Sequence, residues 1–209
     1  MLARVVKLIL SNQRLIVLPL SPFFATRSNV LVENIPQNLR SKLLFQPAEG
    51  FHFTIQWSPE EYLTKIDIET LLSELKNILN NFSPINGNLF APFFGRAGLF
   101  GMLKTETDLE IPKIRSKVHQ LWKKFGLPPG LNLKDYDLAY ISLVRYLGKF
   151  NQDEIKQFKD ISLKKISNVI LSEARVVLND KIMNTNKTKI LEKIILRHYS
   201  MKLLNMKQT

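Results

Sequence analysis

Apolar and polar residues alternate in the run 51–57, and this alternation is the clearest strand signal in the chain. Successive side chains of a strand point to opposite faces, so the run predicts one apolar face that packs on a core. That face is made by Phe51, Phe53, Ile55 and Trp57. The opposite face is polar and presents His52, Thr54 and Gln56. Taken alone, the run also fits a half-buried strand whose histidine simply faces solvent.

A second run, 138–146, alternates in the same way and repeats the spacing of a ring followed two residues later by a hydroxyl. The pair is His52 and Thr54 in the first run, and Tyr140 and Ser142 in the second. In a regular strand Val144 shares the face of Tyr140, and Arg145 lies on the opposite face. A bulge would place Arg145 on the face of Tyr140 instead. The repetition predicts two similar half-domains that face one another across a cleft.

The remaining pattern predicts a mixture of helices and strands, an α+β protein. Helical spacing of apolar residues predicts a helix over 68–79 capped by Asp67, and a second helix over 112–125. Shorter signals predict a strand at 14–20, a helix around 37–45, a hairpin of 89–94 with 99–103, a helix at 153–158, a long strand at 166–178, and a closing strand at 190–196.

Composition limits the size of the fold and excludes several kinds of functional site. The 209 residues, 45% of them hydrophobic, suffice for one large or two small packed units. The absence of cysteine excludes disulfides, thiolate metal sites and a cysteine nucleophile. The three histidines form no zinc-ligand pattern, and no Gly-rich phosphate loop, nucleophile elbow or paired metal carboxylates occur. We therefore expect neither a metal ion nor a cofactor.

The formal net charge of +12 is unevenly distributed along the sequence. Residues 1–110 contain ten basic and ten acidic side chains, whereas residues 111–209 contain twenty basic and eight acidic ones. Such asymmetry is typical of a surface that binds a polyanion, although a basic surface without a partner has the same composition. With a sequence pI near 9.9, the charge favours a nucleic acid as the partner.

The two ends of the sequence differ in composition from its centre. Residues 1–13 are apolar and basic, which fits either a short mitochondrial transit segment or an ordinary element ahead of the domain. Their apolar runs are too short for a membrane span. We expect an N-terminal extension (1–13), one bilobal domain (14–196) and a basic tail (197–209). The expected compartment is the cytoplasm, or the mitochondrion if residues 1–13 are a transit segment.

The order of the predicted elements, together with the two repeated strands, resembles the two-histidine (2H) phosphoesterase superfamily. These are RNA 2′,3′-cyclic phosphodiesterases and 2′-5′ RNA ligase-like proteins with one His-x-Thr/Ser strand in each lobe. The segment from His52 to Ile55 matches the first motif, and Ser142, Leu143 and Arg145 fit the second. Tyr140 stands where the second histidine is expected. Over 14–196 the resemblance implies a bilobal fold, with two antiparallel sheets facing a central cleft and helices outside.

The resemblance also implies RNA or a nucleotide phosphate as the partner, and roles for four residues. His52 is then the general base and Tyr140 the proton donor of a metal-independent hydrolysis of a 2′,3′-cyclic phosphate, while Thr54 and Ser142 hold the phosphate oxygens. A tyrosine phenol, with an ordinary pKa of about 10, cannot replace imidazole as an unassisted base. Removal of one acid–base partner costs roughly 10²–10⁴-fold in rate. The expected enzyme is therefore attenuated or inactive.

A second hypothesis belongs to another functional class. A pseudoenzyme that retains the cleft and the basic half of the chain would be a non-catalytic RNA-binding component of a larger ribonucleoprotein assembly. It predicts salt-dependent RNA binding without turnover.

Overall fold

The computed structural model describes residues 13–19, 35–46, 50–63, 65–106, 109–128, 138–159, 164–179 and 188–197. Its strands are β1 (Gln13–Pro19), β2 (Leu43–Phe45), β3 (His52–Pro59), β4 (Ile85–Phe94), β5 (Gly98–Thr105), β6 (Tyr140–Tyr146), β7 (Lys164–Leu171), β8 (Glu173–Asn179) and β9 (Lys189–Ile195). Its helices are a 3-10 helix (Gln37–Lys42), α1 (Glu60–Leu63), α2 (Ile68–Leu79), α3 (Glu110–Lys124) and α4 (Gln152–Lys159).

The strands form two antiparallel sheets, which face a central cleft as predicted. The first sheet has four strands in the order β3-β1-β8-β9, and the second has five in the order β2-β6-β5-β4-β7. The His52 strand β3 lies at the edge of the first sheet, and the Tyr140 strand β6 lies inside the second. The α+β architecture with two sheets and outer helices is therefore confirmed.

The two long helices form where the apolar spacing predicts them. At the start of α2, one carboxylate oxygen of Asp67 accepts hydrogen bonds from the backbone N–H groups of Glu69 and Thr70. This satisfies donors that the first turn of a helix leaves without partners. Both helices bury one face in the core. The buried residues of α2 are Leu71, Leu75 and Leu79; those of α3 are Ile111, Ile114, Arg115, Val118, Leu121 and Trp122.

Two predicted elements differ from the observed ones. The predicted strand 166–178 is two strands, because the chain leaves one sheet at the end of β7 and enters the other at β8. Ser172 lies at this crossing, and its carbonyl accepts a hydrogen bond from the backbone of Leu196. The crossing is spanned by Ser172, Glu173 and Ala174, with no glycine or proline to mark a turn, so the pattern does not show it. The helix predicted around 37–45 is a 3-10 helix that ends at Lys42 and is followed by β2.

Within the described ranges, no helix is long and apolar enough to cross a membrane. Most of the predicted N-terminal extension (1–12) and of the basic tail (198–209) lies outside the described residues.

Candidate functional site

The two motif strands begin with the two ring residues. His52 is the first residue of β3 and Thr54 the third; Tyr140 is the first residue of β6 and Ser142 the third. All four side chains are half-buried, which leaves each of them partly open to solvent. The ring and the hydroxyl therefore occupy equivalent places on one strand of each sheet.

A backbone carbonyl fixes the tautomer of His52. Its Nδ1 lies 2.6 Å from the carbonyl oxygen of Gly50. A carbonyl oxygen only accepts hydrogen bonds, so Nδ1 must carry the proton. In the neutral ring the lone pair is then on Nε2, and Nε2 is the atom that can accept a proton.

The surroundings of His52 lower the pKa of its ring below the ordinary value of 6.5. Burial is the largest cause, because it disfavours the charged imidazolium. The hydrogen bond to Gly50 opposes the shift, and the positive charge of Arg145 adds to it. His52 is therefore neutral at neutral pH.

The phenol ring of Tyr140 packs against Phe100 of the neighbouring strand. The two ring centroids are 5.2 Å apart and the ring planes make an angle of 82°, an edge-to-face contact. This contact restricts the ring of Tyr140 on the open face of the sheet.

Both motif strands contain one extra residue at the same offset from their ring residue. Between β1 and β3, Ile16 pairs with Gln56 and Val17 pairs with Thr54, so Ile55 has no partner on β1. Between β5 and β6, Leu99 pairs with Val144 and Phe100 pairs with Ser142, so Leu143 has no partner on β5. The two strands therefore carry equivalent bulges, so they match in backbone structure as well as in residue pattern.

The bulges correct the predicted faces of both strands. An extra residue shifts the alternation by one position, so Trp57 and Arg145 return to the faces of His52 and Tyr140. Gln56 and Val144, which the regular pattern assigned to those faces, are buried at 1% exposure each. The carboxamide of Gln56 accepts a hydrogen bond from the backbone N–H of Trp57 at the bulge. Arg145 therefore does not point away from Tyr140.

One buried arginine, which sequence reasoning missed, joins the two motif strands. Arg115 of α3 is only 3% exposed. Its Nε and Nη2 donate to the carbonyl of Thr54 at 3.2 and 2.8 Å, and its Nη1 donates to the carbonyl of Leu138, just before β6, at 2.8 Å. The signal was present in the sequence: position 115 lies four residues after Ile111 and three before Val118, on the apolar face of the helix.

Among the described residues, no group of three or more histidine or acidic side chains is arranged to hold a metal ion.

Comparison with known proteins identifies the fold. No protein-family model and no curated protein sequence matches the chain. Among solved structures, E. coli LigT complexed with NADP+ superimposes with a TM-score of 0.63 at 10% identity, covering 90% of this chain and 99% of LigT. This chain has the LigT-like fold.

Two further structures agree with the LigT-like fold over the same share of each chain, 90% of this chain and 99% of the other. A protein described as a phosphoesterase gives a TM-score of 0.63 at 9% identity. TT0787 of Thermus thermophilus gives 0.58 at 13% identity. LigT has also been crystallised with 3′-AMP, with ATP and with phosphate.

Proposed function

We propose that this chain is a divergent 2H phosphoesterase-like protein that binds, or acts slowly on, RNA ends and nucleotide 2′,3′-cyclic phosphates. The observation that supports it most is the matched construction of β3 and β6, each with a ring, a hydroxyl and a bulge at the same offsets. The LigT-like fold supports it further, because LigT has been crystallised with nucleotides.

In this proposal His52 is the general base. Its Nδ1 proton is held by Gly50 and its neutral state is favoured by burial and by Arg145, so Nε2 is ready to take a proton from water. Thr54 and Ser142 donate hydroxyl hydrogen bonds to the phosphate oxygens, where negative charge develops in the transition state.

Tyr140 is the proton donor to the leaving ribose oxygen, and it is also the reason why turnover is slow or absent. A phenol donates a hydrogen bond to phosphate without difficulty, but its ordinary pKa of about 10 makes its proton harder to release than that of an imidazolium. The edge-to-face contact with Phe100 supports this role, because it restricts the orientation of the ring.

Replacement of Tyr140 tests this function. We expect Tyr140→His to raise hydrolysis of an RNA with a 2′,3′-cyclic phosphate end, assayed with a metal chelator, by about 10²–10⁴-fold. His52→Ala in that background should abolish the gain, and His119→Ala, a histidine change on α3, serves as the matched control. A Tyr140→His protein that neither hydrolyses the cyclic end nor binds 3′-AMP would contradict the proposal.

The charge distribution favours a second candidate, a non-catalytic RNA-binding component of a larger assembly. The whole excess of +12 comes from residues 111–209. If Tyr140→His binds 3′-AMP yet remains inactive while the native chain binds RNA, this candidate replaces the enzyme.

The compartment is a separate part of the proposal: the cytoplasm, or the mitochondrion where residues 1–13 direct import. Microscopy of a chain tagged at its C-terminus, with and without residues 1–13, distinguishes the two. Mitochondrial signal that survives the deletion would contradict a transit role for that segment.

A further inference from the structure

The open face of the five-stranded sheet continues from Tyr140 across three strands. In the β-ladders, Tyr140 of β6 pairs with Met102 of β5, and Met102 pairs with Phe90 of β4. Directly paired residues of antiparallel strands share a face. Neighbouring strands are about 4.8 Å apart, so Phe90 stands about 10 Å from Tyr140 on the same surface.

A second row of this face is polar. Asn168 of β7 pairs with Asn88 of β4, which pairs with Lys104 of β5. Together with Asn86 and Phe90, these residues line a depression of about 490 Å³. Within the described part of the chain, the carboxamides of Asn86, Asn88 and Asn168 make no hydrogen bond to protein. They are therefore available to a ligand.

Among the described side chains that line the depression, the positive and negative charges balance. Lys104 and Glu106 both line it, and the ammonium of Lys104 lies 5.9 Å from the ring centroid of Phe90. A site that binds through phosphate charge needs an excess of cations. An aromatic ring on an open sheet face, beside carboxamides that both donate and accept, instead suits an unpaired nucleobase that stacks on the ring and is read at its edge.

We infer that this depression, the Phe90 groove (Asn86, Asn88, Phe90, Lys104 and Asn168), binds the base of the nucleotide next to the terminal one. The inference rests on the proposed function, because it assumes that the terminal phosphate lies between His52 and Tyr140. The ligand is then an oligonucleotide end rather than a free mononucleotide. The groove contributes to the binding affinity through contacts with the base and not through charge.

Three probes that are not hydrolysed test the groove by calorimetric titration: 3′-AMP, the dinucleotide ApAp with a 3′-phosphate, and the same dinucleotide with an abasic 5′ residue. ApAp should bind at least about fivefold more tightly than the abasic probe, which is the lower end of the effect of stacking one base. The ratio of these two affinities should not change as salt rises, because their phosphates are the same.

Variants assign the effect to the groove. Phe90→Ala should remove the preference for ApAp and leave 3′-AMP affinity unchanged. Phe94 is an exposed aromatic residue of the same strand that lies outside the groove. As a control, Phe94→Ala should retain the preference for ApAp. The double variant Asn88→Ala/Asn168→Ala changes two groove residues and leaves the ring of Phe90 in place. It should reduce the preference for ApAp over the abasic probe.

The outcomes separate the inference from the function on which it rests. Equal affinities for ApAp and the abasic probe in the native chain, with 3′-AMP bound, overturn the groove and leave the proposed function intact. Failure of all three probes to bind overturns both. A preference that survives in Phe90→Ala and in the double asparagine variant also overturns the groove.

Discussion

His52 owes its chemical character to three features of its surroundings rather than to its own sequence motif. The Gly50 carbonyl fixes the proton on Nδ1, while burial and Arg145 lower the pKa of the ring. Gly50 is two residues away in sequence, but Arg145 comes from the other lobe. The motif therefore supplies the imidazole, and the tertiary structure lowers its pKa.

We predict that Arg145→Gln raises the pKa of His52, because a nearby positive charge that disfavours the imidazolium is removed. The pKa is measured by following the His52 ring resonances in an NMR titration. Arg96→Gln, in the exposed turn between β4 and β5, should leave the pKa of His52 unchanged. An unchanged His52 pKa in Arg145→Gln would show that Arg145 lies too far away to act on the ring.

The lowered pKa of His52 also predicts how stability depends on pH. The unfolded chain binds a proton at this histidine at a higher pH than the folded chain does, so the free energy of unfolding falls as the pH drops below 6.5. Urea denaturation at about pH 7 and about pH 5 measures the free energy of unfolding of the native chain and of His52→Gln. The native chain should lose more stability than the variant over this interval; an equal loss contradicts a lowered pKa.

At the scale of elements, the two bulges decide which residues share a face with the motif side chains. Each places one extra residue, Ile55 or Leu143, in a motif strand. Trp57 and Arg145 consequently join the ring and hydroxyl of their strands. Apolar–polar alternation cannot reveal this, because a bulge is specified by pairing with a neighbouring strand and not by the strand's own residues.

Arg115 is the connection between elements that we expect to matter most for stability. Its guanidinium donates three hydrogen bonds to the carbonyls of Thr54 and Leu138. Arg115→Met should lower the free energy of unfolding by about 2–4 kcal/mol, because it leaves these carbonyls without their charged donor. Urea denaturation measures the loss, and Lys117→Met, at an exposed position of the same helix, should stay within about 0.5 kcal/mol of the native chain.

The start of α4 has reciprocal capping bonds. The side chain of Asn151 accepts from the backbone N–H of Glu154, and the carboxylate of Glu154 accepts from the backbone N–H of Asn151. Asn151→Ala should cost about 1 kcal/mol of unfolding free energy, the usual value of an N-cap. The neighbouring exposed change Gln152→Ala is the control in the same denaturation experiment. Equal stability of the two variants would mean that the cap does not contribute.

At the scale of the whole molecule, the sequence charge predicts the character of RNA binding. Since the entire excess of +12 lies in residues 111–209, affinity for single-stranded RNA should fall by at least about tenfold between 50 and 200 mM salt. Fluorescence anisotropy at a series of salt concentrations gives the slope. The mononucleotide 3′-AMP, with one phosphate group, should show a much shallower slope. RNA binding that is insensitive to salt would contradict a role for the basic half.

Much of the architecture follows from local pattern. The apolar spacing in α2 and α3, the Asp67 cap and the hairpin of β4 and β5 each depend on residues close together in sequence. The α+β class and the two repeated strands follow from the same patterns. The roles proposed for His52, Tyr140, Thr54 and Ser142 come from the repeat and the family resemblance, and they remain predictions.

The tertiary structure alone decided how these parts meet. The break of the predicted strand 166–178 at Ser172 and the bulges at Ile55 and Leu143 depend on which sheet accepts each segment. The hydrogen-bond partners of Arg115 depend on which strands pack against α3. Sequence periodicity shows which face of an element is apolar, because the polarity of each side chain indicates whether that position is buried. It does not record which distant strand pairs with it, because backbone hydrogen bonds carry no side-chain identity.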